Sequence, residues 1–353
     1  MKILVIQQKM IGDVLTTSIL FEALRLKYPE AQLDYLINAH TLAVVENHPN
    51  IDNFILFTKA EENSKRALLK FAKSIKYKKY DVVIDVYSKL SSNIITLFSK
   101  AKTKISYYKP YTTFVYDYNI KRRKKTDANF GLAIENRLQL LAPLNIKIRE
   151  AKPKIFLTKK EVVDSKRFLQ THNINFSVPL YMISVLGSDT NKTYPFPFMA
   201  KIIDTLVKQT NGQVLFNYIP NQKAQAQSIY NLCKPETQKA IYFNIFGHNL
   251  REFLAITKHC SALIGNEGGA INMAKALDVK TFAIFSPWIS KVTWSLFEDE
   301  NNNVSVHLKD YKPELYDAKT VNDIKSNALV LYQEFLPSFF ERKLNVFLQQ
   351  TLN

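Results

Sequence analysis

Residues 2–36 read KILVIQQKMIGDVLTTSILFEALRLKYPEAQLDYL, and this stretch decides the fold class. Lys2 to Gln7 is a short apolar run rich in β-branched residues, the composition of a buried strand. From Gly12 to about Lys27 the apolar residues Val14, Leu15, Ile19, Leu20, Ala23 and Leu24 return at helical spacing. Gln32 to Ile37 reads as a second strand. A strand, a tight turn, a helix and a strand in close succession predict a parallel, doubly wound sheet.

The alternation continues outward. Strands are predicted at Asn53 to Phe57 and Asp81 to Val86, with a helix from Ala60 to Lys76 between them. Around Ile148 to Thr158 a Pro-containing stretch interrupts the pattern and reads as a linker into a helix at Lys159 to Gln170. The pattern then restarts with strands at Leu180 to Val185, Gln213 to Tyr218, Ala262 to Ile264 and Lys280 to Phe285. Helices are predicted between them at Pro197 to Gln209, Gln222 to Cys233, Leu250 to Lys258 and Ala270 to Leu277. The last forty residues carry helical periodicity only, at Thr320 to Glu334 and Phe339 to Leu352. At 353 residues the chain exceeds what one core organises. The expected division is an N-terminal α/β domain over 1–155, a second over 156–320, and helices over 321–353 that pack near the domain junction.

With 46% apolar and 22% charged residues the composition is that of a soluble globular protein rather than a disordered one. No run approaches a membrane span, and Gln7, Gln8 and Lys9 interrupt the opening apolar run, so no signal peptide is expected. Two cysteines, Cys233 and Cys260, give no disulfide framework, and a reducing cytoplasm fits. The six histidines form no ligand spacing, so no bound metal is expected. The net charge is +17, and its location is informative. Between Lys59 and Lys125 eighteen Lys and Arg stand against five acids, so thirteen of the excess charges lie there. The run Lys121-Arg122-Arg123-Lys124-Lys125, with Tyr107, Tyr108, Tyr111 and Tyr116 nearby, suits nucleic acid, an anionic membrane surface or a phosphorylated glycolipid; a merely solvated face is the bland alternative.

In an open α/β sheet ligands gather at the carboxyl ends of the strands, so the loops there are the candidates. After the first strand, Gly12 permits a tight turn and Asp13 falls at the start of a helix, whose positive end keeps a carboxylate ionised; capping the helix is the alternative role. After the first strand of the second half, Gly187 to Pro195 (GSDTNKTYP) offers the hydroxyl of Ser188, backbone N–H groups and Lys192 ahead of a helix, a set that suits a diphosphate. A third loop, Gly265 to Ala274, runs through Glu267, Gly268 and Gly269. The glycines allow close approach to a ligand, and Glu267 reads as an exposed carboxylate able to accept from sugar hydroxyls. In a fourth, Ser286 and Trp288 could line the same cleft, with core packing as the equal alternative for Trp288.

With these loops in place, the chain resembles glycosyltransferase family 9, which includes the ADP-heptose:lipopolysaccharide heptosyltransferases. The opening is similar to the family's strand, IGD-type turn and helix. ALIGNEGGAINMAKALDVKTFAIFSPW (262–288) resembles its GxDSGxxHxAxAL…PTxxLFGPT region. Lys192-Thr193-Tyr194-Pro195 resembles a KxWP element, and Tyr80 to Asp85 a YDxxID strand. In this chain Glu267 stands for Asp, Gly268 for a small hydroxyl residue, Asn272 for His, Ser286 for Gly and Trp288 for Thr.

The resemblance implies a GT-B architecture: two facing Rossmann-like domains, the acceptor on the first, the nucleotide-sugar on the second, and an inverting reaction in the cleft between them. It implies Asp13 as general base, Gly12 with Lys121, Arg122 and Arg123 on the acceptor side, and Ser188, Lys192, Glu267, Gly268, Gly269 and Asn272 on the donor. No cofactor is implied beyond a nucleotide-diphosphate sugar, such as an ADP-sugar, as co-substrate. The implied acceptor is an anionic glycolipid or lipopolysaccharide core, met by peripheral contact with the inner membrane and without nucleic acid. The sugar, the base and the oligomeric state are left open. Rival readings are a GT-B nucleotide-sugar epimerase, an inactive donor-binding paralogue and a basic nucleic-acid-binding protein.

Overall fold

A computed structural model describes residues 1–125, 131–148 and 151–352. Within the expected linker, Arg149 and Glu150 lie outside the described residues. The chain divides into two compact units, Met1–Phe156 and Leu157–Asn353.

The first unit holds a six-stranded sheet: β1 (Lys2–Ile6), β2 (Gln32–Asn38), β3 (Asn53–Phe57), β4 (Val82–Asp85), β5 (Thr103–Tyr107) and β6 (Tyr118–Ile120). The order is β3-β2-β1-β4-β5-β6, every pair is parallel, and the order reverses between β1 and β4. Four of the five β1 residues are fully buried, as expected of a central strand covered on both faces. The single helix expected from Gly12 to Lys27 is two, Ile11–Thr17 and Ile19–Lys27, divided at Ser18, whose hydroxyl bonds back to the Leu15 carbonyl at 2.8 Å. Gly12 belongs to the first turn of the first of these helices, so the tight turn precedes it.

The second unit holds β7 (Leu180–Ser184), β8 (Gln213–Asn217), β9 (Ala262–Asn266), β10 (Lys280–Ile284) and β11 (Asn303–Val306) in the order β11-β10-β9-β7-β8, again all parallel. Here the order reverses between β7 and β9. This is the flavodoxin-like order, whereas the first sheet has the Rossmann order. The C-terminal helices complete this unit's core: Phe335, Phe340, Leu344 and Phe347 are buried in the same cluster as Tyr194 and Phe282. The Phe347 and Phe282 ring centroids lie 5.5 Å apart.

Strands β5, β6 and β11 and the helix Leu90–Ser99 escaped the sequence reading. β5 (TKISY) begins with two half-buried polar residues, β6 has three residues, and β11 (NVSV) buries Asn303 and Ser305. Their polar residues hide the apolar signal of a strand.

Candidate active site

Sequence-predicted residues stand at both topological switch points. In the first unit Asp13 is the third residue of helix Ile11–Thr17, beyond the carboxyl end of β1. Its Oδ1 accepts from Arg137 Nη2 at 2.6 Å, while its Oδ2 lies 3.5 Å from the Met10 N–H. Arg137 is buried in helix Leu132–Leu138 and held by two further bonds, to Thr17 Oγ1 at 2.9 Å and the Ala133 carbonyl at 2.7 Å. The Asp13 side chain keeps 29% of its surface exposed. One carboxylate oxygen is therefore fixed by a charge-assisted bond while the group stays open to solvent. Arg137 was absent from the sequence reading, because a partner 124 residues away leaves no spacing signal.

Of the basic run, Arg122 packs against a buried ring of the first unit. Its guanidinium stacks 3.9 Å from the buried Tyr107 ring, whose phenol is pushed up by burial and, among smaller influences, feels Arg137, Arg122 and Asp13. Lys121 sits over Tyr108 at 5.5 Å, and Arg123 pairs with the buried Glu135 at 3.7 Å. Lys121 to Lys125 are all exposed. Nearby, Leu90, Tyr111 and Phe114 are each more than 70% exposed around an apolar hollow of about 350 Å³ that also takes in Lys89 and Lys109.

In the second unit the loops after β7, β9 and β10 are bonded to one another. Asn266, at the end of β9, accepts from the Tyr194 N–H at 2.7 Å and donates to the Ser184 carbonyl at 2.8 Å. Ser286 Oγ and Trp288 Nε1 both donate to the Asn191 carbonyl, at 2.6 and 3.2 Å. Trp288 packs against the core while its indole N–H bonds the loop after β7. Lys192 Nζ lies 5.4 Å from the Trp288 ring centroid, and Lys325, from helix Val321–Ser326, lies 4.8 Å from it. Lys325 was not anticipated, since nothing in its local sequence ties it to Trp288. A Cβ on Gly187 would come within 2.3 Å of the Lys192 carbonyl oxygen, so this tight loop demands glycine.

Gly268 caps helix Gly269–Ala276, and a Cβ added there meets nothing within 4 Å. Asn272 lies half-buried in the first turn of that helix, and Ser188 is exposed. Glu267 is half-buried rather than exposed, and burial raises its carboxyl above the usual range while Lys192 and Lys275 pull it back. Glycine backbone, a helix N-terminus and nearby ammonium groups make these loops receptive to an anion. Among the described residues no group of three or more His, Cys, Asp or Glu is placed to hold a metal.

Residues 68–322 match the family model of glycosyltransferase family 9 (heptosyltransferase). The chain is 24% identical over 297 residues to lipopolysaccharide heptosyltransferase 2 of Salmonella typhimurium, covering 81% of this chain and 83% of that one. Its fold is similar to the family 9 glycosyl transferase of Veillonella parvula, with TM-score 0.76, 18% identity, and coverage of 94% and 97%. It is also similar to the E. coli ADP-heptose LPS heptosyltransferase II, with TM-score 0.69, 17% identity, and coverage of 95% and 99%. These likenesses give the fold as α/β of the GT-B kind. The match over more than half its length makes this chain a member of glycosyltransferase family 9, and hence a glycosyltransferase.

Proposed function

We propose that the protein is an inverting glycosyltransferase that moves a heptose or related sugar from a nucleotide-diphosphate donor to a lipopolysaccharide-type acceptor, with Asp13 as general base. The observation that carries this reading is the Asp13 carboxylate: one oxygen is fixed by the buried Arg137 and the group is partly open at the sheet's switch point. A carboxylate held in this way keeps its orientation when a hydroxyl approaches Oδ2. The acceptor oxygen bonds to the anomeric carbon as the bond from that carbon to the diphosphate oxygen breaks, and the acceptor proton passes to Asp13. Negative charge grows on the departing diphosphate, where Lys192 and the N–H groups at Gly269 supply donors and positive potential.

The acceptor side is read from charge and apolar exposure together. Arg122 and Lys121 stand over the Tyr107 and Tyr108 rings, and the exposed Leu90, Tyr111 and Phe114 lie among lysines. Such a face suits an anionic glycolipid presented at a membrane surface. Among the described residues no helix is long and apolar enough to cross a membrane, so the proposed contact is peripheral.

The test is a thermal-shift screen of ADP-, GDP- and UDP-sugars, followed by Asp13→Asn on the donor that responds. Retained donor stabilisation with loss of transfer supports the reading. Full turnover by Asp13→Asn refutes the base, and no response to any nucleotide sugar refutes the donor class.

A further inference from the structure

We infer that Lys325, delivered by the C-terminal helices, is a second ammonium of the anion-binding loops, so that Lys192 and Lys325 together hold the two phosphates of a diphosphate. The inference rests on the donor half of the reading above and names a further residue of that site.

The C-terminal segment is clamped to the loop after β7. Helix Ala328–Gln333 packs against the turn Thr190–Lys192. Its Tyr332 ring lies 5.8 Å from that of Tyr194, and the Tyr194 hydroxyl donates to the Phe335 carbonyl. One helix earlier, Thr320 caps Val321–Ser326, and Ile324 is buried in the unit's core. Lys325 is the next residue, exposed, and its ammonium comes to the Trp288 indole.

That indole links the two lysines. Its N–H and the Ser286 hydroxyl both donate to the Asn191 carbonyl, which fixes the ring beside the residue that precedes Lys192. The Nζ of Lys192 and that of Lys325 lie 5.4 and 4.8 Å from the centroid of this one ring. Ammonium groups gathered on a single indole repel each other, and the ring compensates only part of that repulsion. Other lysines of this unit find carboxylates: Lys291 meets Asp310 at 3.0 Å, and Lys312, which lies over the Phe339 ring, is paired with Glu334. Among the described residues neither Lys192 nor Lys325 forms an ion pair. Glu267 feels the charge of Lys192, but burial works against its ionised form, so the offset is partial.

The chemistry of the partner follows. Positive charge left on two nitrogens suits an anion that carries its charge on two centres. A carboxylate or a single phosphate has one such centre, whereas a diphosphate has two, joined by a bridging oxygen. Lysine fits the task, because its ammonium is a point charge on a flexible stem whose donors turn to follow phosphate oxygens. The ring then serves as a resting place that holds both ammonium groups near the loops without neutralising them.

Calorimetric titration of the full-length protein with inorganic pyrophosphate and with orthophosphate, at low ionic strength, tests this. The unaltered protein should bind pyrophosphate about tenfold more tightly. Lys325→Gln should weaken pyrophosphate binding about tenfold, the low end for a charge-assisted bond because the lysine is exposed, and orthophosphate binding by about twofold at most. Lys325→Arg should keep most of the pyrophosphate affinity. Lys319→Gln, which removes an exposed charge from the same segment, should change neither constant. No binding of pyrophosphate by the unaltered protein, undiminished binding by Lys325→Gln, equal losses for the two anions, or an equal effect of Lys319→Gln overturns the inference. A fall of several degrees in the Tm of unliganded Lys325→Gln also overturns it, since the lysine would then serve the fold. Nucleotide sugars separate this from the donor reading: if they stabilise the unaltered protein and Lys325→Gln alike, the donor reading stands and the inference falls, and if they stabilise neither, both fall.

Discussion

At the carboxyl edge of the first sheet Asp13 is tied to Arg137 at 2.6 Å, whereas at the edge of the second the cations Lys192 and Lys325 rest over the Trp288 indole at 5.4 and 4.8 Å. The first arrangement neutralises its charge internally and fixes one geometry. The second sets ammonium groups, partly shared with the half-buried Glu267, beside a glycine-capped helix start, where a Cβ on Gly268 would meet open space. A group that takes a proton needs orientation, and a site that receives a diphosphate needs donors and positive potential. The contrast supports the proposed division, with the base in the first unit and the anion-binding loops in the second.

The largest expected effects separate the two regions in one assay. Asp13→Asn should lower kcat by about 10² to 10⁴, the worth of a positioned base, with the donor response preserved. Lys192→Ala should instead weaken donor binding by about 10 to 100-fold, the range for a charge-assisted bond to phosphate. If both variants fail in the same kinetic parameter, the division of labour is wrong.

Arg137→Met sharpens the first half of the comparison. Removing one partner of a mostly buried pair costs about 3 to 5 kcal/mol, and the exposed part of Asp13 reduces that to about 2 kcal/mol. Urea unfolding of Arg137→Met, Asp13→Asn and the double variant should show a double-mutant loss smaller than the two single losses combined. Strict additivity would mean that the pair carries no coupling.

A smaller effect comes from Glu267. Its folded carboxyl sits above the usual range through burial, so ionisation at neutral pH costs stability, and the cost fades as pH falls through that raised value. Glu267→Gln should raise Tm by about 2 °C at pH 7 and by progressively less toward pH 4. A gain that grows with acidity would contradict the sign. The smallest effect concerns the membrane face: Phe114→Gln should reduce sedimentation with anionic vesicles a few-fold, and added salt should reduce it further.

Much of the fold was legible from residues 2–36 and 262–288, where β-branched runs and helical spacing follow one another without interruption. Strand β11 was not, because Asn303 and Ser305 are polar yet buried, the latter bonded to Ser295 Oγ at 2.9 Å. The candidate site was half legible. Lys192 and Gly268 stand in connections after strand ends, and Asp13 in the first turn of the helix after β1, so a search of the strand ends reached them. Arg137 and Lys325 come from distant helices and touch their partners only after folding, so no local pattern marks them.

The central claim is a single displacement in which Asp13 takes the acceptor proton and forms no bond to the sugar. Following the anomeric carbon by NMR, from the responding nucleotide sugar to the glycosylated product, tests it most directly. The account predicts an anomeric configuration in the product opposite to that of the donor; retention of the donor's configuration would contradict it.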